Sequence, residues 1–77
     1  MNNTQIVVQR IMALIFEVES NLISETTSQD NTAEWDSIRH LDLITALEEE
    51  FEIEFSIEDI ANLVNFGIVV AAIEELI

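Results

Sequence analysis

Ser37 and His40 stand three residues apart, close enough to share one turn of a helix, and a hydroxyl beside an imidazole is the raw material of nucleophilic catalysis. Such a pair also needs an orienting third group and oxyanion donors in a water-excluding pocket, and no convincing triad surrounds it. We therefore read His40 as an exposed residue in a first helical turn. Other chemistry finds no footing. The sequence has no glycine-rich phosphate cradle, no His pair at metal spacing and no G-x-S-x-G elbow. A calcium loop beginning at Asp30 fails because Trp35 occupies the position that needs Gly. With no Cys, disulfides, zinc–thiolate sites and thiol catalysis are excluded, and a reducing cytoplasm is the simplest setting.

The charge balance narrows the partners. Sixteen acids against two arginines give a formal charge of −14, and positions 40–77 carry ten of those acids with no Lys or Arg. Binding to nucleic acid or to an anionic membrane requires clustered basic groups, so both are excluded. A net charge this far from zero favours a monomer and steers it toward basic partners. The longest uncharged stretch, 60–73, is too short to span a bilayer. Gln9 and Arg10 interrupt the apolar run at the N-terminus, which does not resemble a targeting segment. Seventy-seven residues make one domain, 1–77, with a single small core.

The elements that must position any site are helical. With no Pro, one Gly and no hairpin signal, the sequence predicts an all-α fold, a small four-helix bundle of three longer helices and one short one. The first helix runs from about Asn3 to Val18, with apolar rows at 7, 11, 14, 18 and at 8, 12, 15 and with Asn2 and Gln5 as a capping pair. A long polar loop from Glu19 to Trp35 follows, anchored by Leu22 and Ile23, and loops of this length are usually functional or partly disordered. The second helix is capped by Asp36 and turns Leu41, Leu43, Ile44, Leu47 and Phe51 inward. Ser56 and Asp59 form a capping box for a short element at 57–63. Asn65 caps a last helix, Phe66 to Ile77, with Val69, Val70, Ile73 and Leu76 or Ile77 facing in.

One run stands out: Trp35-Asp36-Ser37-Ile38-Arg39-His40-Leu41-Asp42-Leu43, leading into Leu47-Glu48-Glu49-Glu50-Phe51. Asp-Ser-Ile opening an acidic helix resembles the acyl carrier proteins, and the likeness of helix order and length extends over nearly the whole chain. The resemblance implies that Ser37 receives a 4′-phosphopantetheine arm from a separate phosphopantetheinyl transferase. It also implies that the arm's thiol holds acyl intermediates as thioesters in fatty-acid, lipid or polyketide-type synthesis. A carrier of this kind is not itself an enzyme.

Physical chemistry is consistent with that assignment. A hydroxyl in the first turn of a helix lies beside unpaired N–H donors and the positive end of the helix dipole, where a phosphodiester is favoured. On a wheel of about 100° per residue, Ile38, Asp42, Thr45 and Glu49 make a strip roughly opposite the core face. An aliphatic residue among carboxylates reads as a contact surface, although a solvated face with one stray Ile has the same pattern. The resemblance implies that partner enzymes dock on this helix through basic patches, and Asp36, Ile38, Asp42, Thr45, Glu48 and Glu49 are the candidate contacts. Val7, Ile11, Leu47, Phe51 and Ile73 could shelter a hydrocarbon cargo between the helices or simply pack the core.

Departures from the family pattern bear on subtype. Ile38 stands in place of Leu, Thr45 where fatty-acid carriers often have Met, Trp35 before the Asp, and Arg39-His40 in a first turn that is commonly acidic or neutral. These features are closer to stand-alone carriers of specialised pathways, and Trp35 is expected to pin the loop to the helix. An aminoacyl or peptidyl carrier, and an unmodified acidic interaction domain, are the alternatives.

Overall fold

The computed structural model describes all 77 residues. Four helices follow in order: α1 (Asn3–Phe16), α2 (Ser37–Phe51), α3 (Ile57–Asn62) and α4 (Phe66–Leu76), with a single 3₁₀ turn at Ser20–Leu22. No helix is long and apolar enough to cross a membrane.

Each helix starts where a short polar side chain takes an otherwise unpaired backbone donor. Asn2 and Gln5 close a reciprocal capping box on α1, with bonds of 2.8 and 2.7 Å. Asp36 accepts the Arg39 amide at 2.8 Å, Ser56 the Asp59 amide at 3.0 Å, and Asn65 the Ile68 amide at 2.8 Å. The ends are set differently. Glu17 and Glu52 adopt left-handed backbone, φ 58° and 54°, and the amides of Val18 and Ile53 reach back to Ala13 and Glu48. Glycine would be the usual residue there, so α1 stops at Phe16, two residues before the expected Val18, at a position the sequence does not advertise.

The core is one cluster drawn from α1, α2, α4 and the connecting segments, with Val8, Met12, Leu43, Leu47, Val69 and Ile73 fully buried. Of the two apolar rows on α1, the row containing Val8 and Met12 faces in, whereas Leu14 is 76% exposed. Leu41 is exposed as well, contrary to its expected place in the core. The buried face of α2 centres on Leu47, and Leu41 lies about 120° around the helix from it. Leu76 and Ile77, one of which was expected to face in, are both exposed at the end of α4, where Asn2 donates to Glu74 at 3.2 Å.

The segment between α1 and α2 is ordered by its own hydrogen bonds. Ile23 is buried as expected, but Leu22 is exposed and anchors nothing. The side-chain amide of Gln9 donates to the carbonyls of Ser20 and Ile23 at 3.0 and 2.8 Å. Thr27, 4% exposed, accepts the Ser24 amide through its hydroxyl at 2.9 Å. Beyond it, Phe66 N–H donates to Thr27 and Gln29 N–H to Val64, at 2.9 and 3.0 Å, around an isolated antiparallel bridge between Ser28 and Asn65. The polar loop is thereby stitched to the α3–α4 junction.

Only one ion pair offsets the acidic charge, Arg39 to Glu17 at 3.1 Å. With carboxylates crowded on the C-terminal half and so little compensation, self-repulsion opposes folding. The melting temperature is expected to rise as NaCl or MgCl2 is added and the charges are screened. A thermal melt series at constant pH measures this, and flat or falling midpoints would contradict the repulsion argument.

Candidate functional site

Ser37 is the first residue of α2, and its side chain is exposed. Asp36 holds the preceding position in extended backbone, φ −94° and ψ −178°, and spends its carboxylate on the Arg39 amide. The His40 amide bonds the Asp36 carbonyl at 2.8 Å, so the N–H groups of Ser37 and Ile38 remain without a partner in the chain. Hydroxyl and free donors therefore lie together at the positive end of a 15-residue helix.

Trp35 fixes this turn from beneath. Its ring is 4% exposed and tilted against Phe16, centroids 5.3 Å apart, so the residue two before Ser37 is embedded in the core, as a pin between loop and helix should be. Its indole N–H, which can only donate, bonds His40 Nδ1 at 2.9 Å. That bond makes Nδ1 the acceptor and puts the ring hydrogen on Nε2, which donates to the Ile60 carbonyl at 2.9 Å. Gln29 Nε2 approaches the same Nδ1 at 3.4 Å. His40 is thus half-buried, a correction to its reading as an exposed helix-surface residue. Both of its ring nitrogens are committed, so it has no free lone pair with which to activate Ser37. The sequence signal was available in principle: a buried Trp needs an acceptor for its N–H, and the sole His follows five residues on.

A groove of about 460 Å³ runs beside the serine, lined by Gln29, Trp35, Asp36, Ser37, His40 and Leu41. A slightly larger depression of about 520 Å³ lies along Arg10, Leu14 and Glu17, well removed from Ser37 in sequence and on a different helix. Of the two, the first contains Ser37.

The predicted strip on α2 is open to solvent. Ile38 is 74% exposed, Asp42, Thr45 and Glu49 are exposed, and Leu41, 61% exposed, flanks them as a second apolar residue that the wheel had placed inside. Thr45 turns its hydroxyl back to the Leu41 carbonyl at 3.1 Å. Glu48 differs from its neighbours: it is half-buried, and one carboxylate oxygen accepts the Phe55 amide at 2.8 Å, tying the end of α2 to the approach of α3. Arg39, one of the departures in the first turn, is paired to Glu17 on the α1 cap.

The site is thus an exposed serine at the start of an acidic helix, with both ring nitrogens of the nearby His40 already bonded. No protein-family model matches the sequence, and no curated protein matches it. Among solved structures the chain is similar to a holo acyl carrier protein from Geobacter metallireducens, with a TM-score of 0.84 and 26% identity over 96% of this chain and 85% of that one. The chain therefore shares the acyl carrier protein fold over nearly its whole length.

Replacing Trp35 by Phe keeps a ring against Phe16 but deletes the donor to His40. Chemical denaturation is expected to show a loss of at least about 1 kcal/mol with native helix content retained, the hydrogen bond together with the packing of the lost part of the buried ring. An unchanged midpoint would mean that the bond contributes nothing.

Proposed function

We propose that this protein carries acyl groups as thioesters on a 4′-phosphopantetheine arm joined to Ser37, and passes them between enzymes as a monomer in the cytoplasm. The observation that carries the reading is the exposed Ser37 hydroxyl at the N-terminus of α2, beside the unpartnered amides of Ser37 and Ile38. Those residues fit the group: the hydroxyl is open to a transferase, and the two N–H donors with the helix dipole favour the phosphodiester that attachment creates. When bound, the arm supplies the thiol on which the acyl group rides.

The chain's own residues hold and present. Asp36 keeps the first turn closed, and Trp35 and His40 hold that turn against the bundle. Ser37 has no activating base of its own, so the phosphopantetheinyl transferase has to supply one. Ile38, Leu41, Asp42, Thr45 and Glu49 offer a mixed apolar and acidic face to acyl-transferring enzymes with basic patches, with Asp36 at its head and Glu48 contributing its remaining oxygen. Exposed ion pairs are worth about 0–1 kcal/mol each, so docking of this kind is fast, brief and weakened by salt, which suits a shuttle. The departures at Trp35, Ile38, Arg39 and Thr45 favour a stand-alone carrier of a specialised pathway over a general fatty-acid carrier.

Incubation with coenzyme A and a broad-specificity phosphopantetheinyl transferase is expected to add one phosphopantetheine to the intact mass, and Ser37→Ala to abolish the gain. An unmodified wild-type chain would indicate an acidic interaction domain instead. Mass spectrometry of the species loaded in cells distinguishes acyl from aminoacyl cargo.

A further inference from the structure

The path from Ser37 into the bundle between α2 and α3 is closed by side chains. Near the serine, the His40 imidazole spans from α2 to the Ile60 carbonyl of α3 at 2.9 Å, backed by the Trp35 indole at 2.9 Å. At the far end, Glu48 holds the Phe55 amide at 2.8 Å. Leu43 and Leu47 of α2 and Leu63, which follows α3, are at most 1% exposed.

Ile60 is within the last four residues of the six-residue α3, so its carbonyl has no helical partner and His40 provides one. Parting α2 from α3 would strand that carbonyl and the Nε2–H of His40, and a chain entering there would have to displace buried leucines. Partly buried polar groups left without partners, and core displacement, both oppose such an opening. Outside the tie lies the groove of about 460 Å³, which contains Ser37 itself and combines the Trp35 edge and Leu41 with the Gln29 amide and the Asp36 carboxylate.

We propose that Trp35, His40 and the Ile60 carbonyl form a clasp that keeps cargo out of the core, making this a carrier of short, polar acyl groups held in the outer groove. His40 and Trp35 are in this view positioning residues that set cargo class, and the hydrocarbon shelter lined by Leu47, Phe51 and Ile73 is plain core packing. The inference rests on the carrier reading of Ser37.

The test loads the wild-type protein from acetyl- or octanoyl-coenzyme A. The transferase joins the Ser37 oxygen to the phosphate that bears the acyl-pantetheine. The pyrophosphate bond breaks, releasing adenosine 3′,5′-bisphosphate and the serine proton. Intact mass is read first: a chain that takes no arm overturns the carrier reading and this inference together.

On the loaded forms, thermal midpoints and thioester cleavage by hydroxylamine are compared. The acetyl and octanoyl forms are expected to melt within about 2 °C of each other, because a chain buried in the core would act as a bound ligand and raise the midpoint by several degrees. Cleavage is expected at equal rates. Trp35→Phe and His40→Asn, which release the clasp by different atoms, are expected to make the octanoyl form melt higher and cleave more slowly than the acetyl form. A wild-type protein that already protects octanoate would overturn the proposal with the carrier reading intact. So would clasp variants, folded by circular dichroism, that remain indifferent to chain length.

Discussion

The exposed hydroxyl of Ser37, the proposed attachment point, is held in place by one buried indole. Trp35 sits two residues before Ser37 with its ring against Phe16 of α1 and its N–H on His40 of α2. The bond decides the tautomer of His40, the tautomer directs Nε2 to α3, and three elements are thereby locked around an exposed hydroxyl. Asp36, between the indole and the serine, closes the first turn by taking the Arg39 amide and leaves the two amides nearest the hydroxyl free. The result is a rigid mount with an open top.

The helical elements and their starts were legible because each depends on local rules. Asn2, Asp36, Ser56 and Asn65 all cap as their residue types require, and the periodicity of α2 and α4 located most of the core. The helix ends were harder, since Glu17 and Glu52 take left-handed backbone that their residue type disfavours. Leu14 and Leu41 were left undecided or misjudged because an apolar residue at helical spacing does not reveal how wide the buried stripe is, and Leu22 because it lies in a loop with no periodicity to read. Packing between elements decides that width, and a single helix does not encode it.

At the site, the serine, its cap and the exposed strip could be read from the chain, whereas the long-range contacts of His40, Arg39 and Glu48 could not. All three bond groups far away in sequence: Ile60, Glu17 and Phe55. The same is true of the loop, whose Thr and Ser residues read as turn formers but whose backbone pairs with the α3–α4 junction. Long-range hydrogen bonds of this kind leave no periodic trace. They nevertheless determine which polar side chains near the serine are occupied, His40 among them, and which are left for other molecules.

The central claim is that Ser37 is a fixed external mount at the N-terminus of α2. Its most direct test is a comparison of amide chemical shifts in the apo protein and in the protein bearing the phosphopantetheine arm. The account predicts large changes at Ser37 and Ile38, smaller ones along the groove at Gln29, Trp35 and Leu41, and an undisturbed core at Leu43, Leu47 and Val69. Unmoved amides at Ser37 and Ile38, or changes spread through the core, would contradict it.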